Sequence, residues 1–561
     1  MTMKLPHSTT VSASQSATRL ARFMVMTSLA PLLLTTGGCD SEGPTQTLRV
    51  EPVVQSANLN SRPDLTTATL HDLQQSMLVD GLTSEALVRH YLERIDKLDR
   101  NGPQLRAVIS LNPDALQYAK ASDQRRRQGA TLGNLDGIPV LVKDNIETAD
   151  PIATTAGSTA LLNNISTVDS PIIAKLRQQG AVILGKTNLS QWANFRSDFS
   201  VSGWSSVGGQ VKNPHVLDRS PCGSSSGSGV AVAAGLATLA IGTETNGSII
   251  CPSNVNGVVG FKPTLGLLPQ AGIVPIAPSQ DTAGPMARTV VGAAQLLDAM
   301  AGTTDYSNAL TDDTDLSDIT VAVLRFAQGD HPEIIARFDR ALAILATAGA
   351  TLVEVDEFAP TDKNLSSHEL LVLETEFKTS VNNYLAATPA TVASRSLSDL
   401  ITFNNAHART ELPLFGQEQF IAANHQAGMD EGAYLLALAA IKAATGSEGI
   451  DTLLKQAKAD ILVAPSGPIS PPRDAVNGDV WPSWVGVGYL PAIAGYPHLS
   501  VPMGTVKGIP LGLSFIASAN EDSRLLRVGN IWQRLHGPAP TPTYLSSAND
   551  ESTIKSANEP Q

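Results

Sequence analysis

An α/β fold with a mixed β-sheet core sandwiched by helices is what this sequence predicts, on three observations. Short apolar runs of strand length recur at residues 138–142, 181–184, 320–324, 351–355, 461–464, 499–503 and 511–516. Segments of helical period separate them. Charged residues make up only 16% of the chain and apolar ones 42%, so most of it can fold around a buried core. No repeat of fixed period divides the 561 residues, although length alone would allow roughly three or four domains. The net charge of −13 is spread out with no basic stripe, which argues against nucleic acid as a partner.

In chain order, residues 1–38 read as an export signal. Lys4, Arg19 and Arg22 precede an apolar run at 23–34 that is too short to span a bilayer. Small residues then lead to Cys39 and Asp40, a pattern that resembles a bacterial lipobox, although Thr36 stands where leucine is usual. Cys39 is therefore expected to be lipidated, and the protein to be exported, either periplasmic or membrane-anchored as a lipoprotein of a Gram-negative-type bacterium. Residues 39–64, with Pro44, Pro52 and Pro63, read as a flexible linker. The folded domain is expected over 65–540 and a disordered, Pro- and Ser-rich tail over 541–561.

Residues 70–99 carry helical periodicity, with Thr83 as the cap of a second helix. Residues 137–145 form an apolar strand ending in Lys143. Residues 170–179 are helical. Gly180 to Thr187 formally fits the phosphate-binding pattern G-x-x-x-x-G-K-[ST]. Its middle residues Ala-Val-Ile-Leu form a buried strand whose N–H groups belong to a sheet, so nucleotide binding is excluded. Residues 230–241, rich in Ala and Val, are read as three helical turns. Helices are also expected at 332–348, 369–385 and 431–444, and 361–446 as a largely helical insert beside the site.

Two serine-glycine loops flank the 230–241 run. The first is Gly223-Ser224-Ser225-Ser226-Gly227-Ser228-Gly229 and the second Gly242-Thr243-Glu244-Thr245-Asn246-Gly247-Ser248. Together with Gly137-Ile138-Pro139-Val140-Leu141-Val142-Lys143 and the block 279–288, they resemble the amidase signature family of serine hydrolases, over roughly residues 65–534. The resemblance implies a single amidase-signature domain that hydrolyses a carboxamide to a carboxylate and ammonia through an acyl-enzyme. It implies Ser248 as nucleophile, Ser224 as a bridging serine on a cis peptide bond, and Lys143 as base. It also implies an oxyanion hole from the N–H groups of Thr245, Asn246, Gly247 and Ser248. Residues 220–234, 242–245 and 494–497 are similar to members that release ammonia from C-terminal peptide amides.

The chemistry stands beside the resemblance. A serine hydroxyl needs an adjacent base, and neither loop contains a histidine. A lysine can serve if burial keeps it neutral and a second hydroxyl, able to donate and accept, relays the proton. Lys143 is thus expected to titrate far below about 10.4, and its activity limb to lie away from the histidine range near about 6.5. No metal or other cofactor enters this scheme, and an amide-bearing small molecule or peptide is the expected partner of a monomer.

Three other readings compete. Gly223-Ser224-Ser225-Ser226-Gly227 fits the G-x-S-x-G elbow with Ser225 as nucleophile, but a polar, proline-containing loop precedes it where a strand is required. A glutaminase subunit of a tRNA-dependent amidotransferase conflicts with the export signal. A non-catalytic binding protein on the same fold conflicts with the presence of Lys143, Ser224 and Ser248. Asp281 and Arg288 are expected as a structural ion pair or cap. Cys222 and Cys251 are expected as buried thiols, a disulfide following only if the two loops meet in an oxidising compartment.

Overall fold

Eleven strands form one mixed sheet in the computed structural model, which describes residues 63–549. The expected export signal, Cys39 and all but the end of the expected linker lie outside those residues. The strands are β1 Val108–Leu111, β2 Pro139–Lys143, β3 Val182–Thr187, β4 Leu239–Glu244, β5 Val259–Lys262 and β6 Thr282–Ala287. The second half adds β7 Thr320–Leu324, β8 Thr351–Val355, β9 Ile461–Pro465, β10 His498–Val506 and β11 Ile509–Ile516. Their order is β1-β3-β2-β4-β6-β5-β10-β11-β9-β7-β8. Parallel pairs join β2 with β3 and β4, and β7 with β8 and β9, while the remaining pairs are antiparallel, so the α/β architecture with a mixed sheet that the sequence predicts is present.

The central strands are apolar on both faces because helices cover both: every residue of β2, β3, β4, β5 and β6 is buried. One large core runs through Tyr91, Val140, Val142, Ile183, Leu239, Ile241, Phe261, Leu297, Phe338, Phe515 and Trp532. The Thr83 cap is present, its side chain accepting from the Ala86 N–H. Among the described residues no helix is long and apolar enough to cross a membrane.

Two expectations are corrected. The 230–241 run is not one helix. A helix at Ser226–Ala233 ends where Gly235 takes a positive φ of 63°, and Leu239 onward becomes the central strand β4. An unbroken apolar run has no period to separate helix from buried strand, and tertiary pairing with β2 and β6 decides it. Residues 541–549, expected to begin a loose tail, lie against the body. The Tyr544 N–H donates to the Pro214 carbonyl, the Leu217 N–H to the Leu545 carbonyl, and Leu545 packs with Val216 and Ile509. Strands β1, β5 and β6, and the helix Asp522–His536, escaped sequence reading altogether.

The topology also positions the chemistry. In the parallel pair β2–β4 the register Val142↔Ile241 brings the carboxyl end of β2, Lys143, beside the carboxyl end of β4. The loop 222–225 that enters helix Ser226–Ala233 lies over the same end. Crevices at the carboxyl ends of parallel strands are where open α/β sheets hold ligands.

Candidate active site

Lys143 is the last residue of β2 and is fully buried. Its Nζ lies 2.8 Å from Ser224 Oγ, 2.8 Å from Thr243 Oγ1 and 3.2 Å from the Thr243 carbonyl. Thr243 thus offers two acceptors for the two hydrogens of a neutral amine, which leaves the nitrogen lone pair for the Ser224 hydroxyl. Asn145 Nδ2 also donates to Thr243 Oγ1, 3.0 Å away, and fixes that side chain. Burial lowers the Lys143 pKa to about 7, against a smaller upward pull from the Asp281 and Glu244 carboxylates. That lies closer to the histidine range than the sequence suggests, because the depth of burial that depresses the amine is set by packing across the fold and not by any local motif.

The Gly223–Ser224 peptide bond is cis and Ser224 is fully buried. Ser190 N–H donates to the Ser224 carbonyl, holding the loop from the segment after β3. The second loop begins at the end of β4 and carries Ser248, 8% exposed. The Ser225 N–H donates to the Ser248 carbonyl at 3.1 Å, so the two serine loops touch. The Ser248 hydroxyl itself makes no hydrogen bond among the described residues.

Glu244 shapes the second loop. Its Oε2 accepts the N–H groups of Ile249 and Ile250, drawing the chain into a tight turn with Gly247 at φ 77°. The N–H groups of Thr245, Asn246, Gly247 and Ser248 are left without an acceptor among the described residues. Thr245 Oγ1 donates to Asp281 Oδ1 at 2.5 Å, and Asp281 Oδ2 accepts from the Ile276 and Ala277 N–H groups. Asp281 is therefore a cap and a brace behind the loop. The ion-pair half of the expectation is corrected, because Arg288 instead donates to the Ala233 carbonyl. Burial raises the Asp281 pKa to about 7.

The helical insert lies beside the site, as expected. From helix Leu365–Ala387, Glu369 Oε1 accepts from Asn246 Nδ2 at 2.7 Å and from Gln280 Nε2 at 3.2 Å. Burial raises the Glu369 pKa. Sequence reasoning missed Thr243, Glu244 and Glu369 as site residues. For Glu244 the signal was present: a carboxylate between two apolar stretches, four residues before the serine.

The rejected motifs behave as their chemistry requires. Lys186, last but one in β3, is fully buried and donates to the Ile146 carbonyl and to Thr154 Oγ1. Ser225 is fully buried, its hydroxyl donating to the Thr243 carbonyl and accepting from the Thr243 N–H. Ser226 Oγ donates to the Cys222 carbonyl. Both serines hold the loop.

One expectation about the loops is reversed. Cys222 and Cys251 form a disulfide, with Cα atoms 5.9 Å apart. The contact between the serine loops supplies the proximity that sequence alone left open. The disulfide lines the wall of a cleft of about 350 Å³, which also takes in Gly223, Asn246 and Gly247. Thiol titration of the denatured, non-reduced protein is expected to find neither cysteine free. Two titratable thiols, not counting Cys39, would show the pair reduced.

A family model described as Amidase matches residues 86–526. The crystal structure of native peptide amidase from Stenotrophomonas maltophilia is 42% identical, with a TM-score of 0.80, over 85% of this chain and 98% of that one. An Arabidopsis thaliana protein described as a probable amidase is 37% identical over 84% of this chain and 90% of its own length. A glutamyl-tRNA(Gln) amidotransferase component from a Synechococcus strain is 32% identical, over 83% and 92% respectively.

Proposed function

Because this chain belongs to the amidase family and is a hydrolase acting on amides, we propose that it cleaves carboxamides with Ser248 as nucleophile, Ser224 as proton relay and Lys143 as base. The observation that carries this reading is the buried Lys143 amine at 2.8 Å from Ser224 Oγ, held by Thr243 and depressed to about 7. At neutral pH a large fraction of such an amine is unprotonated and competent as a base.

The proposed steps run from Ser248 through Ser224 to Lys143, with the Lys143–Ser224 contact of 2.8 Å supporting the last transfer. The Ser248 proton passes to Ser224 as the Ser224 proton passes to Lys143 Nζ, and Ser248 Oγ bonds to the carboxamide carbon. The oxygen of the tetrahedral intermediate faces the N–H groups of residues 245–248, which no protein acceptor occupies. The proton returns from the Lys143 ammonium through Ser224 to the leaving nitrogen, and ammonia departs. Water then repeats the sequence on the acyl-enzyme and releases the carboxylate.

The substrate class is a C-terminal peptide amide. The similarity to peptide amidase supports it, as does a cleft of about 350 Å³, wide enough for more than a bare amide group. Ammonia release across a panel of peptide amides, simple aliphatic and aromatic amides, and free glutamine tests it. Peptide amides are expected to give the highest kcat/KM. Preference for glutamine would instead favour the glutaminase reading, which the similarity to the Synechococcus amidotransferase component supports.

Export is part of the same proposal. A disulfide between Cys222 and Cys251 persists in an oxidising compartment, in keeping with the apolar run at 23–34 and the lipobox-like Cys39. A mature N-terminal peptide beginning at Cys39 with a lipid mass increment is expected; an unmodified N-terminus upstream of it would refute the anchor.

A further inference from the structure

We propose that the cleft beside the serine loops selects substrates that carry an organic cation, a protonated amine or guanidinium, held between the Asp479 carboxylate and the indoles of Trp481 and Trp484. The inference rests on the amidase reading and specifies the group that the acyl part of the substrate presents.

The lining of the cleft motivates it. Asp479, Trp481, Trp484 and Tyr489 share the cleft with Gly247 and the Cys222–Cys251 disulfide. No lysine, arginine or histidine lines it, so Asp479 is the one formal charge on its wall among the described residues. Asp479 also takes part in no ion pair there, while Ser202 holds it in place. Its Oδ1 accepts from the Ser202 N–H at 3.0 Å and its Oδ2 from the Ser202 hydroxyl. The Trp481 side chain also hydrogen-bonds this carboxylate, and its two oxygens together still have lone-pair capacity for a further donor. A carboxylate that is fixed, half-buried and without a cation is costly unless a ligand supplies the charge.

The aromatic rings supply the other half. Trp481 and Trp484 stand edge to face, with centroids 5.5 Å apart. Trp481 packs on the disulfide that joins the two serine loops, so this recognition surface is tied directly to the reacting centre. Trp484 is 51% exposed, and among the described residues its ring contact is with Trp481. Indole faces attract ammonium and guanidinium groups, and a carboxylate beside them adds a charge-assisted hydrogen bond. A net charge of −13 further raises the local concentration of cationic substrates.

The test compares matched pairs of peptide amides that differ only in lysine against norleucine, placed at the residue bearing the amide and one residue before it. In the wild type kcat/KM is expected to favour lysine by roughly tenfold or more at one of the two positions. In Asp479→Asn, which can still accept from the Ser202 N–H, that preference should vanish. Trp484→Leu should weaken it. Equal turnover of lysine and norleucine in the wild type, or a preference that survives Asp479→Asn, overturns the proposal. Agmatine, a guanidinium compound without an amide, separates this outcome from a failure of the amidase reading. A saturable change in tryptophan fluorescence with agmatine, lost in Asp479→Asn, upholds the cation site even if no amide is cleaved. No saturable change overturns it.

Discussion

Replacing Ser248 by alanine is expected to bring amide hydrolysis to the background rate, a loss on the order of 10⁶ in kcat. The effect should be this large because no second hydroxyl reaches the same place. Ser225 is fully buried and both donates to and accepts from the Thr243 backbone, while Ser226 is engaged with the Cys222 carbonyl. Ser248 alone among these serines combines an unengaged hydroxyl with the run of unoccupied N–H groups at 245–248. Removing one partly exposed hydroxyl leaves the Glu244 turn and the disulfide intact, so urea unfolding should be nearly unchanged. Ammonia release measured beside the unfolding curve checks both. Wild-type turnover in Ser248→Ala, with a dead Ser225→Ala, would return the elbow reading.

The second large effect concerns the relay. Lys143→Met and Ser224→Ala are each expected to cost roughly 10²–10⁴ in kcat/KM, and the double variant no more than the worse single one. Methionine keeps the unbranched stem of the buried lysine, so the apolar packing of β2 survives while the base is lost. The two residues sit 2.8 Å apart in one proton path, and breaking the path twice does nothing further. Losses that multiply in the double variant would mean that the two side chains act separately.

Much of the candidate site was legible because each piece sits on a short, self-contained stretch. Lys143 ends an apolar strand, and Ser224 and Ser248 lie in glycine-rich loops whose character is local. What the sequence did not reveal depends on contacts across the fold. Asp281 braces Thr245, and Glu369 reaches Asn246 from a helix more than a hundred residues away. The disulfide follows from the approach of two loops that the sequence separates by a helix and a strand. The strand β4 was hidden for another reason: residues buried on both faces lose the alternation that marks a strand. Asp479 and Trp484, on a loop between β9 and β10, carried no local pattern at all.

The account stands or falls on Lys143 as the base, and the pH profile of kcat/KM in wild type and Lys143→Arg tests this most directly. Burial depresses the lysine to about 7, so the competent neutral form is lost as pH falls through that value and gained as pH rises above it. Wild-type activity should therefore climb through about 7 and hold on the alkaline side. A limb there resembles a histidine's, which is why the variant is needed. Arginine keeps the charge but cannot give up its proton in this range, so Lys143→Arg is expected to be inactive at every pH. Near-normal activity of Lys143→Arg with the same limb near 7 would contradict the account, leaving the Ser224 relay without a proton acceptor.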